Sequence, residues 1–409
     1  MNYKLQQSKI HQTNAITITG SKSESNRLLL LQALYPELNI ENLSNSDDSK
    51  VMQMALQSNS NQIDIHHAGT AMRFLTAFFA VQKDREVVIT GSTRMKERPI
   101  AVLVDALNQL GAQITYLETK GCPPLQIKGQ KLLKDKVTLK ADVSSQYISA
   151  LLLIAPKLKN GLELTLDGKI TSVPYINMTL ALLNDIGVVT SFIGNIITVK
   201  QKESLEHILT FTVESDWSSA SYFYSIIAMS NIDTEITLFS YKQNSLQGDS
   251  ILSEIYKQFG VQTIFNENSI QLKKVAEVKR SKSINLDLSN APDIAQTITV
   301  TCLGLGLECN LTGLHTLKIK ETDRLEALKH EIQKCGGKID ITTNSLQLYK
   351  TKVLNDDVSI STYNDHRMAM AFAPLALKTN LWIEDAMVVS KSYPTFWNDL
   401  ETLGIKIIK

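Results

Sequence analysis

The sequence predicts an α/β protein of two domains, each built from three repeated α/β modules around buried helices. Three observations carry that prediction. A helix-ending glycine returns at near-constant spacing, a second series of wholly apolar helices interleaves with it, and 409 residues are too many for one ordinary core, since a domain takes roughly 150.

The glycine series has the form apolar, two polar residues, apolar, glycine, then a short β-like stretch. It occurs as Leu107-Asn-Gln-Leu-Gly111, Leu183-Asn-Asp-Ile-Gly187, Tyr256-Lys-Gln-Phe-Gly260, Ile332-Gln-Lys-Cys-Gly336 and Leu400-Glu-Thr-Leu-Gly404, with steps of 76, 73, 76 and 68 residues. Glycine just past the last turn is the usual left-handed cap, so each match ends an amphipathic outer helix and starts a strand. A period this long exceeds solenoid repeats, so each unit is a compact α/β module.

The second series consists of helices apolar nearly all round, which marks them as buried. They start near Ser23, Thr70, Ser145, Trp217, Pro292 and Asp365, with steps of 47, 75, 72, 75 and 73, so only the first is short. Six modules divide into two groups of three. The boundary falls near Glu214-Ser215-Asp216, which gives one domain from residues 1–19 plus 215–409 and another from residues 20–214. The starts of the buried helices are polar, and a helix N-terminus offers free N–H groups and partial positive charge to anions.

Composition narrows the function. With 42 basic and 41 acidic residues the net charge is +1, which excludes bulk electrostatic binding to nucleic acid or an anionic membrane. The longest apolar runs, at 28–31 and 151–155, fall far short of the ~20 residues of a membrane span, and the first residues lack a signal core. Cys122, Cys302, Cys309 and Cys335 have neither metal-ligand nor redox spacing, so reduced thiols and a cytoplasmic location are expected. Only eight of the 42 basic residues are arginine, and six of these (Arg27, Arg73, Arg94, Arg98, Arg324 and Arg367) sit in short polar clusters; Arg85 and Arg280 lie in ordinary charged stretches. Arginine grips carboxylate and phosphate two bonds at a time, which lysine cannot do, so a small and highly charged anion is the expected ligand.

The clusters follow in chain order. Gly20-Ser-Lys-Ser-Glu-Ser-Asn-Arg27 places Lys22 and Ser23 where free backbone donors lie, with Arg27 a turn further on the same face. It reads as a phosphate cradle without a Walker-type loop, or as a capped helix with a solvated arginine. In His67-Ala-Gly-Thr-Ala-Met-Arg73, Gly69 lets a ligand approach the backbone and Thr70 can cap. Arg73 lies in an apolar helix and needs a partner, with Asp47 or Asp48 the candidate salt bridge. Arg94-Met-Lys-Glu-Arg-Pro-Ile100 reads as a fixed loop that favours a ligand role for Arg98. Ser144-Ser-Gln-Tyr147 supplies neutral donors, and Ser172-Val-Pro-Tyr175 a further hydroxyl pair.

In the second half, Asp293 in Ala291-Pro-Asp-Ile opens a helix otherwise free of charge. It is either a favourable first-turn acid or a general base. Lys320-Glu-Thr-Asp-Arg324 alternates charge before an amphipathic helix and taken alone could be a surface run. Asn364-Asp-His-Arg-Met368 has more polar groups than a cap needs. Lys391, in Val389-Ser-Lys-Ser-Tyr-Pro394, taken alone reads as an exposed loop lysine.

Taken together and in this order, these clusters resemble the 5-enolpyruvylshikimate-3-phosphate synthase family over essentially the whole chain. The resemblance implies a two-domain inside-out α/β barrel with its active site in the interdomain cleft, and a monomeric, cytoplasmic enzyme of the shikimate pathway without metal or other cofactor. Its partners would be two small molecules, with no nucleic acid and no membrane. Shikimate 3-phosphate would contact Lys22, Ser23, Arg27, Ser144, Ser145, Gln146, Ser172, Asp293 and Lys320. Phosphoenolpyruvate would contact Lys22, Gly69, Arg98, Gln146, Arg324, Arg367 and Lys391. The catalytic set would be Asp293 as base, with Glu321 and Lys22 serving proton transfer at C3. His67, Phe74 and Thr316 depart from the family pattern, where Asn, Pro and Asn are usual. The alternatives are the UDP-N-acetylglucosamine enolpyruvyltransferases, whose catalytic cysteine is missing from the loop at 94–100, and a non-catalytic anion binder of the same fold.

Overall fold

The computed structural model describes all residues except 12, 141–143, 169, 171 and 280–282, and of residue 13 the backbone alone; Arg280 thus lies outside the described residues. Six apolar helices form the centre of the architecture. They are Lys22–Leu34, Gly69–Ala80, Ser145–Ile154, Trp217–Met229, Ala295–Leu305 behind a 3-10 turn at Pro292–Ile294, and His366–Phe372 running into a 3-10 segment at Ala373–Leu377. Every residue of Gly69–Ala80 is buried, as periodicity without a polar face requires. Pro374 lacks the N–H that would continue the α-helical ladder, which accounts for the tightened end of the last helix.

The glycine series marks helix ends as expected. Ala101–Leu110, Tyr256–Phe259 and Phe396–Leu403 are closed by Gly111, Gly260 and Gly404 at φ of 105°, 73° and 104°. At Gly260 the left-handed backbone is not the only demand, because a Cβ there would stand 2.0 Å from the Ala276 carbonyl oxygen. The loop at 94–100 differs from expectation. Residues Thr93–Lys96 form one helical turn, because the Ser92 hydroxyl accepts from Met95 N and caps it.

The chain divides into two compact units, Met1–Gly20 with Glu214–Lys409, and Ser21–Val213. Each has its own hydrophobic core and three small sheets. A module runs strand, buried helix, strand, outer helix, two strands, and its sheet has four strands in five of the six cases. The sixth sheet is a parallel pair, Leu38–Glu41 with Leu209–Thr212, so the one short step of the repeat reflects a module without its final pair of strands. In the larger unit, Tyr3–Gln6 lies between Leu381–Ile383 and Lys406–Ile408, antiparallel to both, while Thr13–Ile16 pairs parallel with Glu235–Phe239.

The buried helices are pinned to one another by hydroxyls. Ser221 meets Thr297 at 3.0 Å, and Thr301 donates to Ser225 at 2.8 Å; both pairs are 76 residues apart, one repeat period. Tyr256 joins the second pair at 2.9 Å from Thr301. Thr301→Val keeps the shape but leaves Ser225 and Tyr256 short of a buried partner, and should lower unfolding free energy by about 1–3 kcal/mol in urea titration.

Candidate functional site

Each unit holds a cluster of charged side chains. In Ser21–Val213 the start of helix Lys22–Leu34 presents Lys22, whose Nζ lies 3.6 Å from Asp48 Oδ2, with His67 Nε2 3.9 Å from the other oxygen of that acid. Arg27 is buried deeper. It donates from Nε to Thr179 Oγ1 (2.8 Å), from Nη1 to Ser23 O (2.7 Å), and from Nη2 to Ser149 Oγ (2.9 Å) and Tyr175 O (3.3 Å). Its plane lies over the rings of Phe74 and Tyr175. The solvated arginine considered above is therefore replaced by a fixed one, and burial pushes its pKa down to about 10.

Gly69 opens the second buried helix. A Cβ there would stand 2.6 Å from Arg98 Nη1 and 2.8 Å from Arg73 Nη1, so two guanidinium groups fill the space a side chain would take. Arg73 donates to Gly69 O at 2.7 Å and lies over the Tyr147 ring. The anticipated ion pair from Arg73 to Asp47 or Asp48 is not formed; among the described residues Arg73 has no carboxylate within ion-pair reach, while Asp48 turns to Lys22 and His67. Gln146 Nε2 donates to Thr70 Oγ1 at 3.1 Å, and Tyr147 OH donates to Pro99 O beside Arg98. Ser144 caps its helix, with Ser145 buried at the first position. Ser172 adopts a left-handed φ of 53° and makes no side-chain capping bond, so the helix start spends strain without using that hydroxyl.

In the larger unit, Arg324 is the hub, 2% exposed, at the first position of helix Arg324–Lys334. Its Nε donates to Asp365 Oδ2 (2.6 Å), Nη1 to Asp293 Oδ1 (2.8 Å) and Nη2 to Glu321 Oε2 (2.8 Å). The sequence 320–324, taken alone as a surface run, thus ends in a buried cation. Asp293 lies further within 3.4 Å of Lys320 Nζ and 3.4 Å of Arg367 Nη2. Burial pushes the Asp293 carboxyl up, but Arg367, Lys320 and Arg324 outweigh it and hold the group well below the usual carboxylate range. Burial lowers the Lys320 ammonium from its ordinary value, against the pull of Asp293.

Lys391 is not an exposed loop lysine: it is 8% exposed and donates to both Asn364 O and Asn364 Oδ1 at 2.7 Å. Tyr363 and Asn364 both take positive φ, 53° and 56°, in the bend that delivers Asp365 as cap to helix His366–Phe372. The structure thus groups Asp293, Lys320, Glu321, Arg324 and Arg367 in one unit, with Lys391 tied to the Asn364 bend. In the other unit it joins Gly69 with Arg98, and Thr70 with Gln146. Sequence reasoning missed Asp365 as the acid that holds Arg324, and it gave Asp47 or Asp48 to Arg73 where the structure gives Asp48 to Lys22. It also missed Ser149, inside the apolar helix Ser145–Ile154, and Thr179, on the buried side of the outer helix Val173–Asp185. Those positions were the available signal, because a hydroxyl there must find a partner.

Among the described residues no group of three or more His, Cys, Asp or Glu is placed to hold a metal, all four cysteines are free, and no helix is long and apolar enough to cross a membrane.

A repeated α/β fold with clustered arginine, lysine and carboxylate at helix starts defines a class of protein that handles small polyanions. A model of the EPSP synthases, described as 3-phosphoshikimate 1-carboxyvinyltransferase, matches residues 54–400. A 3-phosphoshikimate 1-carboxyvinyltransferase of Bacteroides fragilis (strain YCH46) is 46% identical over 397 residues, covering 96% of this chain and 95% of the relative. One from Histophilus somni (strain 2336) is 36% identical over 425 residues, covering 95% and 96%. An EPSP synthase structure from Acinetobacter baumannii superposes with a TM-score of 0.80 over the full length of both chains at 20% identity, which bears on the fold. The chain belongs to the EPSP synthase family and is an enzyme of the enolpyruvyltransferase type.

Asp365 is the test of the hub. Asp365→Ala takes one of three acids from a buried guanidinium and removes a helix cap, and should lower unfolding free energy by about 2–4 kcal/mol, read by thermal or urea unfolding.

Proposed function

We propose that the two clusters together carry out the family's reaction, transfer of the enolpyruvyl group of phosphoenolpyruvate to the 5-hydroxyl of shikimate 3-phosphate with release of phosphate. Both substrates carry a phosphate and a carboxylate, and neither cluster alone holds the full set of cations the reading assigns to them. Shikimate 3-phosphate falls to Lys22, Ser23, Arg27, Ser144, Ser145, Gln146, Ser172, Asp293 and Lys320. Phosphoenolpyruvate falls to Lys22, Gly69, Arg98, Gln146, Arg324, Arg367 and Lys391.

The observation that carries the reading is the clamp on Asp293. Three cations hold this carboxylate ionised and mute its basicity. Incoming carboxylate and phosphate compete for Arg324 and Arg367, and each cation they take raises the proton affinity of Asp293. The base is thereby armed when both substrates are present. Asp293 removes the hydroxyl proton as oxygen attacks C2, and C3 takes a proton from Glu321 or Lys22. The tetrahedral adduct then loses phosphate from C2 against the fixed charges of Arg98, Arg324, Arg367 and Lys391, while Glu321 or Lys22 takes a proton back from C3 and the C=C bond reforms. Holding both reactants in one site supplies proximity. Four free thiols support a cytoplasmic setting, and a monomer is part of the same reading.

Phosphate release measured with each substrate omitted in turn tests the assignment. Release should require both phosphoenolpyruvate and shikimate 3-phosphate and should ignore a UDP-sugar; release with the UDP-sugar would replace the reading. Asp293→Ala should abolish turnover while calorimetry still finds shikimate 3-phosphate bound. Gly69→Ala pushes the tips of Arg98 and Arg73 aside and should raise the KM for phosphoenolpyruvate between about ten- and a hundredfold, with the KM for the acceptor little changed.

A further inference from the structure

Behind Arg367 lies a buried acid that the transfer reaction does not use. Asp249 occupies the short 3-10 segment Gly248–Ile251 and is 2% exposed. Gln247 anchors that segment, accepting from Trp217 N at 3.0 Å and donating to Ser215 O at 2.8 Å and Glu214 Oε2 at 3.2 Å. Asp249 Oδ2 accepts a hydrogen bond from Ser218 Oγ, while Oδ1 has no hydrogen-bond partner. The same Ser218 oxygen accepts from Arg367 Nη2 at 3.3 Å, and Arg367 Nη1 donates to Asp293 O at 3.3 Å. A continuous chain therefore runs from Asp249 through a hydroxyl to the guanidinium beside the proposed base.

We propose that Asp249 is a positioning residue of the anion site: through Ser218 it orients Arg367, and its charge sets how much of that guanidinium's field is left for phosphoenolpyruvate. The proposal rests on the assignment of Arg367 to that substrate.

The groups facing Asp249 decide the sign. Helix Trp217–Met229 contributes Ser218 and, at its cap, Asp216; the turn Pro292–Ile294 contributes Asp293; helix His366–Phe372 contributes Arg367. Burial, reinforced by Asp293 and Asp216, pushes the Asp249 carboxyl up to about 7 against the pull of Arg367 and the Ser218 bond. An ionised Asp249 and a bound anion compete for one guanidinium, so anion binding favours the protonated acid, and by reciprocity protonation tightens anion binding. Affinity is full below the pKa of Asp249 and falls as pH rises through it. Asparagine keeps the shape and can still accept from Ser218, but carries no charge.

The experiment is the KM for phosphoenolpyruvate from pH 6 to 8.5 at saturating acceptor, for wild type, Asp249→Asn, Ser218→Ala and Arg367→Lys. Taking the ratio of variant to wild type at each pH cancels the titration of the substrate's own phosphate. The Asp249→Asn ratio should be near one at pH 6 and fall to about one-fifth at pH 8.5, with kcat within about twofold. Ser218→Ala should raise KM about fivefold throughout, with kcat kept. A ratio for Asp249→Asn that does not change with pH overturns the charge role, and an unchanged KM in Ser218→Ala overturns the relay. Arg367→Lys separates the two readings: a raised KM there beside a flat Asp249→Asn profile sinks this proposal alone, whereas an unchanged KM removes Arg367 from the substrate site. Should Asp249→Asn fail to fold, proton uptake on phosphoenolpyruvate binding, compared by calorimetry between wild type and Ser218→Ala, decides instead. Uptake reduced in Ser218→Ala at pH 7.5 supports the chain, and equal uptake overturns it.

Discussion

The charged cluster of the larger unit depends on one buried guanidinium. Arg324 reaches the cap of helix His366–Phe372 through Asp365, the turn Pro292–Ile294 through Asp293, and its own preceding loop through Glu321. Three segments remote in sequence thereby converge on a single planar fork, whose geometry matches carboxylates and dictates where each must lie. Desolvation of such a charge is costly, and the cost is offset only while every partner stays in register. The same arrangement that fixes the backbone leaves Asp293 and Arg367 side by side. Structural and chemical demands thus meet at the same atoms.

The other unit solves the problem differently. Arg27 is held by hydroxyls, carbonyls and aromatic faces, and Arg73 by a carbonyl and a tyrosine ring, with no carboxylate within ion-pair reach of either among the described residues. Neutral acceptors orient a guanidinium without cancelling its charge. Arg324 and Arg367 are therefore paired with acids, whereas Arg27 and Arg73 are held by neutral groups. This division accounts for a chain with nearly balanced charge that still concentrates arginine.

Much of this was legible in the sequence because it is periodic. The glycine caps and the unbroken apolar helices report backbone handedness and burial, which are local properties, and the short first step coincides with the module whose sheet has only two strands. Cation clusters were legible because arginine is scarce here. Partners were not. Nothing local says that Asp48 turns to Lys22 and away from Arg73, or that Ser149 and Thr179 meet Arg27 across 122 and 152 residues. Such pairings depend on helix packing, and the pattern of apolar positions does not encode which side chain meets which. Gly69 shows the same limit: the sequence marks a missing side chain but not that the tips of Arg98 and Arg73 lie beside it.

The interleaving of strands bears on the order in which the chain can fold. Tyr3–Gln6 is an interior strand of a sheet whose other members are Val358–Ile360, Leu381–Ile383 and Lys406–Ile408, and Thr13–Ile16 waits for Glu235–Phe239. During synthesis the segment Ser21–Val213 can close its core while the rest is still being made. The first strands meanwhile remain unpaired, as exposed edges open to other chains. Closure of their sheets over several hundred residues of loop makes the larger unit the slower half to assemble.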